Sequence, residues 1–369
     1  MSTFITRFDT TGTGIRVAVK DLIDMVGVPT TAGCKAVADE AKPAVADAAC
    51  LAGTRAAGAP IVGRANLHEL ALGVTGENPW FGTPVNPLDP GLVPGGSSSG
   101  CAVAVATDEA DVGFGSDTGG SVRIPSACCG TAGLKTTWGR IPLHGVWPLA
   151  PGFDTVGPMA RDVAGLVAGM TLLEPGFSVA PVPGALRVGR LRPDADPRID
   201  DALDRALAAT GWETTDIVLP LWDDSTTRAG LLLVAEAWAT DGALVARAED
   251  RIGPDVVARL RIGQAVDAAA QQAARAVQEA WRAELADAFT RVDVLATPTL
   301  TVFPPPLAQG EELLMARCTL PVNMAGVPAV VVPVPTAGPL PASLQLVGPH
   351  GSEERLLAAA AVAEAAAIS

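Results

Sequence analysis

Pro94-Gly-Gly-Ser-Ser-Ser-Gly-Cys-Ala-Val-Ala-Val-Ala-Thr-Asp-Glu-Ala-Asp-Val-Gly-Phe-Gly-Ser-Asp-Thr-Gly-Gly-Ser-Val-Arg-Ile-Pro125 places two glycine-rich loops around one short helix–strand unit. Its small-residue centre predicts a helix over about 100–107 and a strand near 110–115. The Gly, Ser and Pro runs on either side cannot continue either element and read as ordered loops. One closes the long Asn78–Gly100 loop, and the other runs from Asp117 to Pro125. Long ordered loops usually carry function.

The surroundings extend this unit into an α/β pattern. From Gly14, Ile-Arg-Val-Ala-Val-Lys-Asp-Leu-Ile is β-branched and alternating, which predicts a strand with Lys20 near its end. Residues 44–58 are Ala-rich and predict a helix, Pro60-Ile-Val-Gly a short strand, and Asn66-Leu-His-Glu-Leu the start of another helix. Past Arg161 the chain reads as mostly helical, with amphipathic stretches near 200–210 and 227–290 that would cover a sheet. Strands are expected at Val292-Asp-Val-Leu-Ala-Thr-Pro, Pro328-Ala-Val-Val-Val-Pro and Ala342-Ser-Leu-Gln-Leu-Val-Gly, with a closing helix over Glu353–Ala366. With no internal repeat or clear linker, residues 1–369 are expected to form one domain.

Hydrophobic residues make up 49% and charged residues 18%, the balance of a packed globular chain. The net charge of −14, without a dense Lys/Arg cluster, argues against direct nucleic-acid binding. No long run of apolar residues is free of charges or breakers, and Met1-Ser-Thr-Phe-Ile-Thr-Arg lacks a signal pattern. No membrane contact and a cytoplasmic location are therefore expected. Six scattered cysteines read as reduced and structural. Three histidines, His68, His144 and His350, stand in no metal-binding spacing, so neither a metal nor a cofactor is expected.

Ser121 follows two glycines, so the chain can bend sharply and converge backbone N–H groups from Thr118 to Ser121. A hydroxyl beside such donors suits acyl transfer, because the tetrahedral intermediate puts its negative charge there. Read alone, Gly119-Gly120-Ser121 is also an ordinary turn, and Ser97-Ser98-Ser99 a flexible loop or helix N-cap. Lys20 is one of only four lysines and interrupts an apolar strand. Burial there would lower its pKa toward a neutral amine, whereas a strand-end lysine can also snorkel to solvent.

Together, Val19-Lys20-Asp21, Gly95-Gly-Ser97-Ser98-Ser99-Gly100 and Asp117-Thr-Gly-Gly-Ser121-Val-Arg-Ile-Pro125 resemble the amidase-signature family. The spacing 121 − 97 = 24 selects Ser97 from the serine run. Also similar are Gly-Val-Pro-Thr-Thr-Ala-Gly at 27–33, Gly-Glu-Asn-Pro-Trp-Phe-Gly-Thr-Pro-Val-Asn-Pro at 76–87, Gly-Leu-Lys at 133–135 and Phe-Asp-Thr-Val-Gly-Pro-Met-Ala-Arg at 153–161. Asn323-Met-Ala-Gly-Val-Pro-Ala and Ser343-Leu-Gln-Leu-Val-Gly look like the family's closing strands. The resemblance covers 14–172 and 292–366 and leaves 173–291 as a divergent helical covering region. Lys20 stands nearer the start than is usual in the family, and Cys101 and Thr136 replace its common small residue and proline.

The resemblance implies an α/β fold, a three-layer α/β/α arrangement on a mixed, largely parallel twisted sheet. It implies Ser121 as nucleophile, Ser97 after a cis peptide bond as proton relay, and Lys20 as base. Backbone N–H groups of Thr118, Gly119, Gly120 and Ser121 would hold the oxyanion, while Ser98 and an Asp117–Arg123 ion pair brace the loops. His68 reads as a helix residue and His144 as a loop residue, and neither lies in a Gly-x-Ser-x-Gly elbow that would suit a histidine base. Cys128-Cys129 reads as packing beside the nucleophile loop. The expected reaction is hydrolysis of a small carboxamide or urea-like amide through an acyl-enzyme, releasing ammonia or an amine. Two alternatives stand beside it: the catalytic subunit of a glutamine-dependent amidotransferase, and a non-catalytic amide or carboxylate binder. A small-molecule amide is the expected partner, and homo-oligomerisation is left open.

Overall fold

Val17, Ala18, Val19 and Lys20 are all buried, so the strand they form is covered on both faces. The computed structural model describes residues 3–10, 12–181 and 184–368. Among these, eleven strands form one sheet. In chain order they are β1 (Phe4–Arg7), β2 (Val17–Lys20), β3 (Ile61–Ala65), β4 (Val112–Ser116), β5 (Ala132–Lys135) and β6 (Val156–Ala160). They continue with β7 (Arg187–Arg190), β8 (Glu213–Asp216), β9 (Val294–Pro298), β10 (Ala329–Val334) and β11 (Ala342–Val347). Their order across the sheet is β1-β3-β2-β4-β6-β5-β10-β11-β9-β7-β8.

Side chains alternate across a strand, and this periodicity sorts β2 between two layers. Val17 and Val19 join a core shared with helices Val163–Leu173, Pro197–Ala209 and Glu353–Ile368. Ala18 faces the other side and packs with Cys101, Ala102 and Val105 of helix Ser99–Ala106. Lys20 follows Ala18 by two residues, so alternation carries its side chain to the layer that holds the glycine-rich loops. Helix Trp222–Ala248 packs against both Pro254–Gln264 and Ala268–Arg291 to form a covering layer. The first of them is apolar and long enough to cross a membrane by length and composition. Here it is a packed cover helix, with buried Ala229, Leu232, Leu244 and Val245.

Several elements depart from expectation. The sheet is mixed, but its balance is not largely parallel: six neighbouring pairs are antiparallel and four parallel. Parallel pairing is confined to β3-β2-β4 and β9-β7-β8, while β10–β11 is an antiparallel pair joined by residues 335–341. The helix expected over 44–58 shrinks to Ala49–Leu51 and Ala52–Ala56. Upstream of it, Ala44 N–H donates to Val28 O at 3.0 Å and Ala48 N–H to Asp24 O at 2.8 Å, so tertiary pairing overrides alanine's helix preference. Arg123–Cys129 is a helix, so the second glycine loop ends at Val122. The stretch 173–291 contains β7 and β8 besides its helices, and β8 is Glu-Thr-Thr-Asp with every residue exposed. Such a strand has no apolar alternation to read.

Candidate active site

Lys20 Nζ donates to Ser97 Oγ at 2.7 Å and to Ser116 Oγ at 2.9 Å, with all three side chains buried. Burial pulls the amine down to about 7, against the opposing charges of Asp117 and Asp154. An amine poised there is neutral in much of the population at physiological pH and can take a proton from a hydroxyl. Ser116, at the end of β4, had no motif to mark it.

The Gly96–Ser97 peptide is cis, as the resemblance implied. Ser98 ties the two glycine-rich loops together: its N–H donates to Ser121 O at 3.2 Å and its hydroxyl to Ser116 O at 3.3 Å. Gly120 has φ +130°, and a Cβ there would lie 2.3 Å from Thr319 Oγ1, so only glycine fits this bend. Ser121 is 4% exposed and lines a cleft of about 540 Å³.

One expected oxyanion donor is otherwise engaged. Gly120 N–H donates to Asp117 Oδ1 at 2.9 Å, because the carboxylate sits inside the turn. Among the described residues, no acceptor occupies the N–H groups of Thr118, Gly119 or Ser121. These three are the donors the loop leaves available.

Asp117 and Arg123 form a fully buried bidentate pair, at 3.0 Å from Nε to Oδ2 and 2.9 Å from Nη2 to Oδ1. Burial alone would raise the Asp117 carboxyl, but Arg123 overcomes it and holds the group well below the usual carboxylate range. Asn323 Nδ2 donates to Asp117 Oδ1 at 2.8 Å, and Arg123 Nη1 to Gln345 Oε1 at 2.8 Å. Thr319 Oγ1 donates to Gly119 O at 2.6 Å. The Ser121 loop is thus braced by residues some 200 positions away. Asn323 stands in helix Leu320–Ala325 rather than in a closing strand.

A second brace carries an unusual carboxylate. Thr118 Oγ1 donates to Asp154 Oδ1 at 2.7 Å, and Leu149 N–H to Asp154 Oδ2 at 3.0 Å. Behind it lies Asp241, 2% exposed on the cover helix Trp222–Ala248. Its Oδ1 accepts from Trp147 Nε1 at 3.3 Å, and its Oδ2 has no partner. Burial raises this carboxyl from 3.8 to about 7, with the Asp154 charge adding to the effect. An acid raised in the fold weakens stability as pH climbs from about 4, and the penalty is complete above about 7. Asp241→Asn is therefore expected to stabilise the chain at pH 8 by on the order of 2–4 kcal/mol. The gain should vanish below about pH 4. Thermal melts at the two pH values check this, and identical wild-type and variant melts at pH 8 would refute it.

His144 is an exposed turn residue. His68 is buried and extended, and only the single 3-10 turn Glu69–Ala71 follows it, so the helix expected there does not form. Cys128 and Cys129 pack between the loops, where a Cβ on Gly95 would lie 2.8 Å from Cys128 Sγ and Cys129 Sγ meets Pro94 O at 3.3 Å. Burial pushes both thiols far above their ordinary value, which makes them poor nucleophiles. The described cysteines are all free and buried, and no group of three or more His, Cys, Asp or Glu that could hold a metal occurs among the described residues. A separate groove of about 520 Å³ beside Trp138, Arg282 and His350 includes none of Lys20, Ser97, Ser116 and Ser121.

Comparison with known proteins identifies the family. The family model described as Amidase matches residues 12–357. A glutamyl-tRNA(Gln) amidotransferase subunit of Halobacterium salinarum is 36% identical over 95% of this chain and 95% of its own length. Its counterpart from Thermus thermophilus is 35% identical over 96% of this chain and 84% of its own. A crystal structure of an amidase superposes with a TM-score of 0.88 at 32% identity, covering 95% of this chain and 84% of that one. The glutamyl-tRNA(Gln) amidotransferase subunit of Thermotoga maritima gives 0.83 at 27% identity, covering 96% and 85%. With a family model spanning most of its length and relatives matched nearly end to end, the chain belongs to the amidase-signature family.

Proposed function

We propose that this chain is the glutamine-hydrolysing subunit of an amidotransferase, cleaving the side-chain amide through an acyl-enzyme on Ser121 and releasing ammonia to a partner protein. The observation that carries the hydrolytic part is the buried Lys20 Nζ–Ser97 Oγ contact of 2.7 Å behind the loop of Ser121. The relatives that are glutamyl-tRNA(Gln) amidotransferase subunits favour this reading over a free-standing hydrolase of small carboxamides. It also gives the cytoplasm, where aminoacylated transfer RNA is made, as the place of action.

In this reading Ser121 Oγ attacks the amide carbon while its proton passes to Ser97, whose own proton passes to neutral Lys20. The oxyanion is received by the N–H groups of Thr118, Gly119 and Ser121. Lys20 returns its proton through Ser97 to the nitrogen as the C–N bond breaks, and ammonia leaves. Water then repeats the sequence on the acyl ester. Arg259 lines the cleft wall with its guanidinium engaged by Asp255 and Leu72 O, so it shapes that wall.

One observation supports a second reading, hydrolysis of a small, mostly apolar carboxamide or urea-like amide. The cleft is lined by Leu72, Val74, Leu149, Leu231 and Leu233, and no carboxylate is among its described lining residues to meet an amino acid's ammonium. Ammonia release from glutamine, small primary amides and ureido compounds, with and without an added partner protein, separates the two. Glutamine turnover that rises with the partner supports the first reading. Turnover of apolar amides without glutamine activity supports the second. Failure of a fluorophosphonate to label Ser121 would sink both in favour of a binding protein.

A further inference from the structure

The turn from His68 to Gly76 stands between Ser97 and the substrate cleft, and the chemistry above makes no use of its histidine. The chain winds around that imidazole. Thr75 Oγ1 lies 3.4 Å from Nδ1, and a Cβ on Gly73 would fall 2.1 Å from Nε2, so only glycine can pass so close to the ring. Leu70 and Ala71, at φ +53° and +56°, hold the left-handed conformation, which costs a non-glycine residue roughly 1–2 kcal/mol. Both side chains are buried in the core.

The turn's two ends grip the backbone of the neighbouring serine loop. His68 N–H donates to Ser97 O at 3.0 Å, and Val74 O accepts from Gly96 N–H at 2.6 Å. Its outer surface, Ala71 to Val74, is cleft wall. On the remaining side it meets the cover helix Pro254–Gln264. His68 Nε2 lies 3.2 Å from Asp255 Oδ2 and 3.5 Å from Arg259 Nη1, and Arg259 donates to Asp255 at 2.8 Å and to Leu72 O at 3.0 Å. Glu69 completes the joint, accepting from Gly253 N–H at 2.7 Å and from Trp80 Nε1 at 2.8 Å.

We propose that His68 is a positioning residue for proton transfer: its imidazole is the post around which residues 68–76 are wound, and that turn holds Ser97 in reach of Lys20 while shaping the cleft wall. The inference rests on the reading of Ser97 as the relay. A side chain that fills the space but lacks polar ends should let the turn drift from Asp255 and Thr75. The drift reaches Ser97 through two hydrogen bonds, and displacements of about 1 Å at a reacting group slow reactions by about 100-fold.

The test is the rate at which a fluorophosphonate labels Ser121, which needs no knowledge of the natural amide. It is measured from pH 5 to 9 on the wild-type chain, His68→Leu and His68→Gln, with thermal melts alongside and Ser121→Ala as blank. His68→Leu should label about 10- to 100-fold more slowly on the alkaline plateau, with the midpoint of the pH profile unmoved. His68→Gln, which keeps a donor and an acceptor, should recover to within about threefold of wild type. Equal labelling by His68→Leu and wild type would overturn the proposal, as would a glutamine variant no faster than the leucine one. If His68→Leu gives no cooperative melt, His68→Gln alone decides: labelling near the wild-type rate upholds the post, and a loss beyond about tenfold overturns it. A wild-type chain that does not label would overturn the post together with the acyl-enzyme reading. Labelling without glutamine turnover would strike only at the choice of substrate.

Discussion

Ser121→Ala is expected to remove amide turnover by about 10⁴-fold or more while leaving the thermal melt close to wild type. The residue is small and 4% exposed, so trading its hydroxyl for hydrogen removes little packing. No substitute nucleophile is at hand: Cys128 and Cys129 are buried, with thiols pushed far above their ordinary value. The donors of Thr118, Gly119 and the residue at 121 would remain, so residual substrate binding should survive. Steady-state ammonia release together with an equilibrium binding measurement checks this. Retention of more than about one-hundredth of the wild-type rate would mean that the nucleophile lies elsewhere.

Lys20→Met is expected to slow turnover by about 10²–10⁴-fold and to erase a pH dependence that the wild type should show. With the neutral amine as the proposed base, kcat/KM should rise through about pH 7 and then level. Removal of the amine should leave a low rate without that inflection. Stability should move the other way. A lysine whose folded pKa is about 7 against an ordinary 10.5 carries its full burial penalty below pH 7, and the penalty fades as pH rises toward 10.5. Lys20→Met should therefore melt above wild type at pH 6–7, with the advantage shrinking toward pH 10. A slow variant that keeps the inflection would assign it to another group.

The opposed effects at Lys20 are a common signature of a functional site. The fold holds a cationic group where only its neutral form is comfortable, and the proposed mechanism uses that discomfort. Asp241 shows the same physics without contact with Ser121, and its unpartnered oxygen makes it a stability liability that a single amide substitution should relieve. The Asp117–Arg123 pair is the contrasting case, since its charges are mutually satisfied and further bound by Asn323 and Gln345. Removal of one partner of such a pair commonly costs about 3–5 kcal/mol, because the other is left buried and alone.

What could be read from the residues alone was local. Alternation over Ile15–Lys20 marks a strand and places Lys20 at its end, and the small residues after Ser99 mark a helix. Glycine pairs mark bends that only glycine permits, while the resemblance to the family, through the spacing 121 − 97 = 24, picks one serine from three. The strand, helix and bend signals survive because each depends on neighbours a few positions away. Tertiary structure decided the rest. It set the antiparallel centre of the sheet, the exposed strand Glu213–Asp216, the replacement of an alanine helix by pairing at 44–48 and the winding of 68–76 around His68. It also brought Ser116 to Lys20, turned Gly120 N–H onto Asp117, and set Asn323 and Gln345 behind the nucleophile loop. For Ser116, Asn323 and Gln345 the physical reason is that a buried polar group must find its partner wherever the folded chain presents one, and sequence separation carries no record of that distance.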